Sequence, residues 1–169
     1  MKRAAEGSKI RVRLASIDDC ARLIEIHERA ILISGRTAYS QDECESWATG
    51  LKPENYVEAM TIKGQTFLVA ETGNKIYGFC SFKDDEIIGL YVDPENGRSG
   101  IGSLLLKHAE KAIEKKGHRS IRIDAALSAL DFYLYHGYTI QQRRSTSSRG
   151  GLDLNVCDLT KTLPGQNRF

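Results

Sequence analysis

The chain has 169 residues, of which 41% are hydrophobic and 27% are charged, and its formal net charge is +2. This length and composition suit one soluble globular domain with its own hydrophobic core. The near balance of charge argues against nucleic acid as the main partner, because nucleic-acid-binding domains usually concentrate Lys and Arg on one face. No apolar run reaches the roughly 20 residues that a membrane span requires, so no membrane partner is expected.

Residues 1–9 are basic and polar and no apolar stretch follows them. We therefore expect a flexible tail rather than a signal peptide, followed by a single domain over residues 10–165. The four cysteines are far apart and form no C-x-x-C pair, which indicates neither a zinc site nor a dithiol redox site. We expect free thiols in a reducing, cytoplasmic setting.

The predicted elements begin with a strand, because residues 10–14 alternate apolar and basic side chains. Acidic residues followed by apolar residues at helical spacing predict a helix over about 16–33. Ser40, with Glu three residues later, opens a second helix with a capping-box pattern. Pro53 starts a short third helical stretch.

The second half of the chain contains most of the predicted sheet. Strands rich in β-branched and aromatic residues are expected at 66–71, 75–82, 86–92, 120–125, 138–144 and 152–159. A long amphipathic helix is predicted over 100–116 and a shorter one over 126–136. This alternation indicates an α/β or α+β fold around a central sheet.

The segment 90–105 carries the clearest chemical signal, because a strand leads through a glycine-rich turn into the long helix. The free main-chain N–H groups and partial positive charge at a helix start suit phosphate. Gly97, Gly100 and Gly102 would let a ligand approach the main chain closely, and Arg98 can pair with a phosphate.

The glycine spacing excludes two common phosphate loops. A Walker A loop requires Gly-Lys followed by Ser or Thr, and the dinucleotide fingerprint is G-x-G-x-x-G, whereas the spacing here is G-x-x-G-x-G. On this segment alone, a structural turn with glycines for packing remains an alternative.

This segment resembles the acetyl-CoA-binding motif of the GCN5-related N-acetyltransferases, Q/R-x-x-G-x-G/A after a strand. Gly100 and Gly102 match the glycines of the motif. Gly97 stands where the family usually has Gln or Arg, so that position offers only main-chain contacts, and Arg98 would supply the charge.

A second segment, Ala129–Tyr138, resembles the family's A-x-x-F-Y-x-x-x-G-F/Y motif at the right distance downstream. Ala126 stands where many members carry an Asn that touches the CoA arm. The resemblance implies a mixed, mostly antiparallel sheet of six or seven strands flanked by about four helices. Family members often dimerise, so a homodimer is also implied.

By the same resemblance, acetyl-CoA is the co-substrate. No metal cofactor is expected. Main-chain groups of Leu90, Tyr91 and Val92 would hydrogen-bond the pantetheine arm. The pyrophosphate would be held by the turn and helix start, namely Gly97, Arg98, Ser99, Gly100, Ile101, Gly102 and Ser103.

Two side chains are candidates for the catalytic chemistry. Tyr133 matches the family tyrosine whose hydroxyl lies near the CoA sulfur and would protonate the departing thiolate; otherwise it is a core aromatic. Glu86 begins the strand leading to the loop, where many members place a carboxylate base; otherwise it is a solvated strand-end charge. Cys80 is interpreted as buried filler, because direct transfer needs no acyl-enzyme. His27 is expected on a helix surface.

The resulting function hypothesis is transfer of an acetyl group from acetyl-CoA to a primary amine. Tyr39 and Trp47 would either line the acceptor pocket or pack in the core. The acceptor stays open between a small amine, an amino acid, an antibiotic and a protein amine, and longer acyl donors are also open. The alternatives are a non-catalytic acyl-CoA-binding module and an enzyme acting on a macromolecule such as a protein N-terminus or charged tRNA.

Overall fold

The computed structural model describes residues 9–165, which form a seven-stranded sheet and five α-helices. The strands are β1 (Arg11–Leu14), β2 (Thr66–Thr72), β3 (Lys75–Lys83), β4 (Glu86–Val92), β5 (Ser120–Ala126), β6 (Thr139–Ser147) and β7 (Asp153–Thr162). The helices are α1 (Cys20–Leu32), α2 (Gln41–Ala48), α3 (Pro53–Thr61), α4 (Ile101–Lys115) and α5 (Leu130–Tyr135). Of the expected tail, residues 1–8 lie outside the described residues.

The predicted fold class and element order are confirmed, with one helix shorter than expected. A helix was predicted over 126–136, but β5 continues to Ala126, which pairs with Val156 of β7 and therefore stays extended. A 3-10 turn follows at Leu127–Ala129, and α5 has only six residues. The structure has five helices where the resemblance implied about four.

The strands lie in the order β1-β2-β3-β4-β5-β7-β6, and every neighbouring pair is antiparallel except β4 and β5. This parallel pair shares only two register positions, Glu86 with Arg122 and Ile87 with Ile123. Beyond Ile87 the two strands separate. The sheet is therefore continuous at one end of this pair and open at the other.

A β-bulge lies where β4 leaves β5. Ser81 of β3 pairs with Gly89, whereas the next residue, Phe82, pairs with Ile87. Ile88 is the extra residue of β4, and such an insertion bends the bulged strand and increases its twist. The bulge thus coincides with the end of the β4–β5 pairing.

Helices cover both faces of the sheet and position the open end. On one face, α4 packs Leu105, Ala109 and Ile113 against Cys80 and Phe82 in the largest core cluster. On the other face, Phe67, Val69 and Phe79 of β2 and β3 pack against α1 and α3. With Leu23 and Ile26 of α1 they form a second core cluster. Within residues 9–165, no helix is both long and apolar enough to cross a membrane.

Candidate active site

A cavity of about 580 Å³ opens between the separated ends of β4 and β5, and we call it the loop cavity. Its walls are β4, the turn that follows, the start of α4, and α5. Nine of the ten residues predicted to contact CoA line it: Leu90, Tyr91, Val92, Gly97, Arg98, Gly100, Ile101, Gly102 and Ser103. The tenth, Ser99, instead donates a hydrogen bond from its hydroxyl to the carbonyl oxygen of Asn96.

The main chain of β4 presents an unpaired edge to the loop cavity. The N–H of Asp93 donates to the carbonyl oxygen of Tyr77 in β3 at 2.7 Å. Because main-chain groups alternate in direction along a strand, those of Tyr91 also face β3, and those of Leu90 and Val92 face the gap left by β5. Two of the three residues predicted to bind an extended ligand therefore present their main-chain groups to the cavity.

The turn before α4 exposes the helix N-terminus to the same cavity. Arg98 and Gly100 have φ values of 61° and 83°, in the left-handed region that only glycine adopts freely. The first N–H group of the helix with a backbone acceptor is that of Leu104, which donates to Gly100. Within residues 9–165 the preceding amides of the helix have no backbone acceptor, as is usual for a first helical turn, and they suit an anion.

Asp93 holds this turn against α1, a role that the sequence analysis missed. The carboxylate is 3% exposed, accepts from the N–H of Glu95 at 3.2 Å, and pairs with Arg22 at 2.8 Å. Burial by itself raises the pKa of Asp93, but the hydrogen bonds from Arg22 and Glu95 and the charge of Arg29 reverse this and lower it. The Asp-Pro step directly after a strand was a signal for such a cap.

Tyr133 lies in α5, is 4% exposed, and lines the loop cavity. Its ring also packs edge-on against Tyr138, so the residue belongs to the core as well as to the cavity wall. Burial raises the pKa of Tyr133 well above its ordinary value, with smaller contributions from Cys80 and Tyr91. The hydroxyl is therefore protonated at neutral pH and can act as a donor.

A second cavity, of about 540 Å³, meets the loop cavity at the β4–β5 separation, and we call it the aromatic cavity. The two share Trp47, Tyr91 and Asp124 in their walls. Tyr39 also lines the aromatic cavity, although its ring is buried and its hydroxyl donates to the carbonyl oxygen of Asn155. Tyr39 therefore lines a cavity and is also part of the core, so the position combines the two alternatives.

Glu86 lines the aromatic cavity rather than the loop cavity. Its carboxylate lies 3.4 Å from a guanidinium nitrogen of Arg122, which also pairs with Asp85 at 3.1 Å. The side chain is 39% exposed, so it is accessible to water and to a ligand. Glu86 thus remains a candidate base, placed on the opposite side of the strand junction from the glycine turn.

His27 does not lie on the surface, contrary to the sequence-based expectation. It is 6% exposed and its ring lies against that of Tyr91, with centroids 3.9 Å apart. The reason is its position on α1: residue 27 lies four positions from both Leu23 and Ile31, which places it on the buried face. His27 and Tyr56, which was not singled out from the sequence, both line the aromatic cavity.

Cys80 is fully buried in β3, and burial raises the pKa of its thiol. A buried thiol held in its neutral form is a poor nucleophile. The interpretation of Cys80 as core filler fits this position. All four cysteines are free thiols and all are buried.

The chain matches the family model described as "Acetyltransferase (GNAT) domain" over residues 36–154. It therefore belongs to the GNAT acetyltransferases, and its activity is that of an acyltransferase of the N-acetyltransferase class.

Individual relatives agree with this assignment. The chain is 27% identical over 144 residues to spermidine N(1)-acetyltransferase of Thermoplasma acidophilum, covering 78% of this chain and 89% of the relative. A GCN5-related N-acetyltransferase structure from Rhodopseudomonas palustris is 28% identical, with a TM-score of 0.85 over 95% of this chain and 99% of that one. The PaiA N-acetyltransferase of T. acidophilum, solved in complex with coenzyme A, shares the fold at 24% identity and a TM-score of 0.71, over 91% and 99% of the two chains.

Proposed function

We propose that this protein transfers an acetyl group from acetyl-CoA directly to a small primary amine. The observation that carries the proposal is the junction of two cavities at the β4–β5 separation. One cavity contains a free strand edge and a helix N-terminus, and the other contains a carboxylate and aromatic side chains. Acyl transfer between two substrates needs such a junction, because the reacting groups must be held against each other.

The loop cavity offers the groups that acetyl-CoA would need. The main-chain groups of Leu90 and Val92 would hydrogen-bond the amide-containing arm as an added strand does. The free amides at the start of α4 and the guanidinium of Arg98 would bind the pyrophosphate. Acetyl-CoA supplies the activated acyl group as a thioester.

The remaining chemistry is proton transfer, for which Glu86 and Tyr133 are the candidates. Glu86 would accept the proton that the amine loses as its nitrogen bonds to the acetyl carbon, either directly or through one water. Tyr133, whose hydroxyl is protonated at neutral pH, would donate to the sulfur as the carbon–sulfur bond breaks. No nucleophilic side chain is required, in agreement with the buried, neutral Cys80.

Calorimetric titration of acetyl-CoA and free CoA into the purified protein tests the donor site. We expect micromolar binding to the wild type and loss of at least tenfold in affinity with Arg98→Glu, because a carboxylate would face the pyrophosphate. Arg143→Glu is the matched control, since Arg143 is exposed and lines neither cavity. Absence of binding at millimolar acetyl-CoA would overturn the proposal.

Release of free thiol in the presence of an amine panel tests the transfer itself. We expect acetyl-CoA to be consumed only when an amine acceptor is present, with the N-acetyl product detected by mass spectrometry. Binding of acetyl-CoA without turnover of any amine would instead identify a binding module.

A further inference from the structure

The aromatic cavity is lined by two residues whose polar groups are incompletely paired within residues 9–165. Nε2 of His27, on α1, has no hydrogen-bond partner. The exposed guanidinium of Arg149, in the turn between β6 and β7, has one hydrogen bond but no ion pair. They come from parts of the chain that are more than a hundred residues apart and line the same cavity.

The His27 ring is held by a single hydrogen bond at its other nitrogen. The hydroxyl of Tyr56 lies 2.6 Å from Nδ1, and within residues 9–165 this is the only hydrogen bond that the hydroxyl makes. Nε2 is buried and has no partner within the same residues. Buried polar atoms of folded proteins are rarely left unpaired, so an unpaired one in a ring that lines a cavity is a candidate ligand contact. Because Nε2 itself has almost no accessible surface, a ligand reaches it only when a neighbouring side chain moves.

Counting unsatisfied groups assigns the protons of this pair. If Nδ1 carried the proton, the hydrogen of the half-buried Tyr56 hydroxyl and the Nε2 lone pair would both lack partners within residues 9–165. If Tyr56 donates to Nδ1, only the hydrogen on Nε2 is left. The second arrangement leaves fewer unsatisfied groups, so Nε2 is assigned as a donor.

Protonation does not change this assignment near neutral pH. Burial, followed by the positive charge of Arg149, lowers the pKa of His27 to about 3. The ring is therefore neutral, with one hydrogen, under physiological conditions. A neutral N–H donor requires an acceptor atom, and ammonium groups have none.

Arg149 supplies a cation at the same cavity. Its Nε donates to the carbonyl oxygen of Thr49 at 3.0 Å, which orients the guanidinium, yet the group forms no ion pair within residues 9–165. Arg144, on the same hairpin, is by contrast engaged by Asp124 and Asp158. An oriented guanidinium without a carboxylate is a typical binding group for one.

The other side of the cavity carries two carboxylates. Glu86 and Asp124, from β4 and β5, line it near the junction with the loop cavity, where Glu86 also pairs with Arg122 and Asp124 with Arg144. Their oxygens would accept hydrogen bonds from the ammonium group of an acceptor at the junction, whereas Arg149 and His27 would bind an anion. The cavity is thus arranged for a ligand that carries both charges.

Resting on the proposed function, we propose that the acceptor is a zwitterionic amine of the amino-acid class, whose carboxylate is bound by Arg149 and by the Nε2–H of His27. This differs from a polyamine: spermidine, the acceptor in the name of the Thermoplasma relative, has no anionic group to engage these donors. The carboxylate would complete the hydrogen bonding of His27.

Matched pairs of acceptors test this substrate class. The wild-type enzyme would be assayed by thiol release with the twenty protein amino acids, the amine formed by decarboxylation of each, and spermidine. We expect the best acceptor to be an amino acid, with kcat/KM at least 100-fold above that of its decarboxylated amine, because only the amino acid offers a carboxylate to Arg149 and His27.

Variants then assign the discrimination to the two donors. Arg149→Gln should raise KM for the best amino acid at least tenfold and change kcat/KM for its decarboxylated amine less than twofold, whereas the matched control Arg143→Gln should leave both unchanged. His27→Phe should reduce the preference for the amino acid, and His27→Gln, which retains an N–H donor, should preserve part of it.

The outcomes separate this proposal from the one on which it rests. Calorimetric titration of acetyl-CoA into each variant reports whether the fold and the donor site are intact. With acetyl-CoA binding intact, preference for spermidine or for decarboxylated amines, or turnover of no amino acid at all, would overturn the zwitterionic acceptor alone. Loss of acetyl-CoA binding in the wild type would overturn both.

Discussion

The ring of Tyr91 occupies the space where a side chain of Gly89 would begin. A Cβ atom at Gly89 would stand 2.9 Å from Cε2 of Tyr91, closer than such contacts ever are. This missing side chain lets the ring lie back along its own strand and pack against His27, with centroids 3.9 Å apart. Because Tyr91 lines both cavities, Gly89 determines the shape of the wall between them.

Gly89→Ala should therefore displace the Tyr91 ring. We expect the free energy of unfolding to fall by about 1–3 kcal/mol, as for other overpacked sites, and kcat/KM for the acceptor to fall with it. A double-mutant cycle with Tyr91→Ala is the control. Denaturant titrations would give the loss of unfolding free energy caused by Gly89→Ala in the wild type and in Tyr91→Ala. Equal losses in the two backgrounds would mean that the Tyr91 ring is not what excludes the alanine side chain.

Tyr133→Phe should reduce kcat and leave acetyl-CoA affinity within about twofold, because the ring remains and only the donated proton is lost. A positioned general acid contributes about 10²–10⁴-fold to rate, and a decrease at the lower end is expected for a good leaving group such as a thiolate. Tyr138→Phe is the matched control: it also removes a buried hydroxyl, which here donates to Glu110. Equal rates for the two variants would make Tyr133 a core residue only.

Glu86→Gln should abolish the rise of rate with pH along the alkaline-rising limb of the profile and lower kcat by about 10²-fold, because the amine loses its proton acceptor. Asp85→Asn removes the other carboxylate paired with Arg122 and keeps Glu86. Steady-state rates of both variants over a pH series would distinguish a base from a partner of Arg122. A profile of unchanged shape for Glu86→Gln would remove this residue from the mechanism.

The lowered pKa of His27 makes stability depend on pH. The unfolded chain binds a proton at this residue below its ordinary pKa of 6.5, whereas the folded protein does not until about pH 3. The unfolded state thus holds more protons between these values, and stability rises with pH across the window. At pH 5 the loss is about 2 kcal/mol relative to pH 8.

Urea titrations of the wild type and of His27→Gln at pH 5 and pH 8 check this prediction. The variant should show a smaller difference in unfolding free energy between the two pH values, because glutamine does not titrate. Identical differences in the two proteins would mean that residue 27 titrates alike in the folded and unfolded states.

The strand-turn-helix around Gly100 and the helix bearing Tyr133 could be predicted because their signals are local. Periodicity, glycine placement and two motifs in order were enough for the loop cavity. His27 was also within reach: its spacing from Leu23 and Ile31 placed it on the apolar face, and a polar residue there is informative. Gly89 lies inside a predicted strand, where a glycine is typical of a bulge or of a close approach by another group. The bulge and the contact with Tyr91 could therefore have been expected.

The position of Arg149 could not be predicted in the same way. The turn that carries it is fixed by contacts with α2, because the N–H of Gly150 donates to the carbonyl oxygen of Ser46 and a Cβ at Gly150 would stand 2.5 Å from the Ser46 hydroxyl. Such packing joins residues a hundred positions apart. No local sequence pattern of Ser46 or Gly150 predicts contact with the other residue. The position of Arg149 in the aromatic cavity is therefore seen only in the tertiary structure.

β4 and β5 are paired at only two register positions, so an unpaired gap runs through the middle of the sheet. A ligand hydrogen-bonded to the main chain of Leu90 and Val92 would make the hydrogen bonds that β5 does not make at these positions. Its own atoms would thus continue the pairing of the sheet. Occupancy and folding stability are then coupled: each tenfold excess of ligand over Kd adds about 1.4 kcal/mol. The protein would melt at a temperature set in part by the supply of its co-substrate, and it would resist proteolysis best when ready to react.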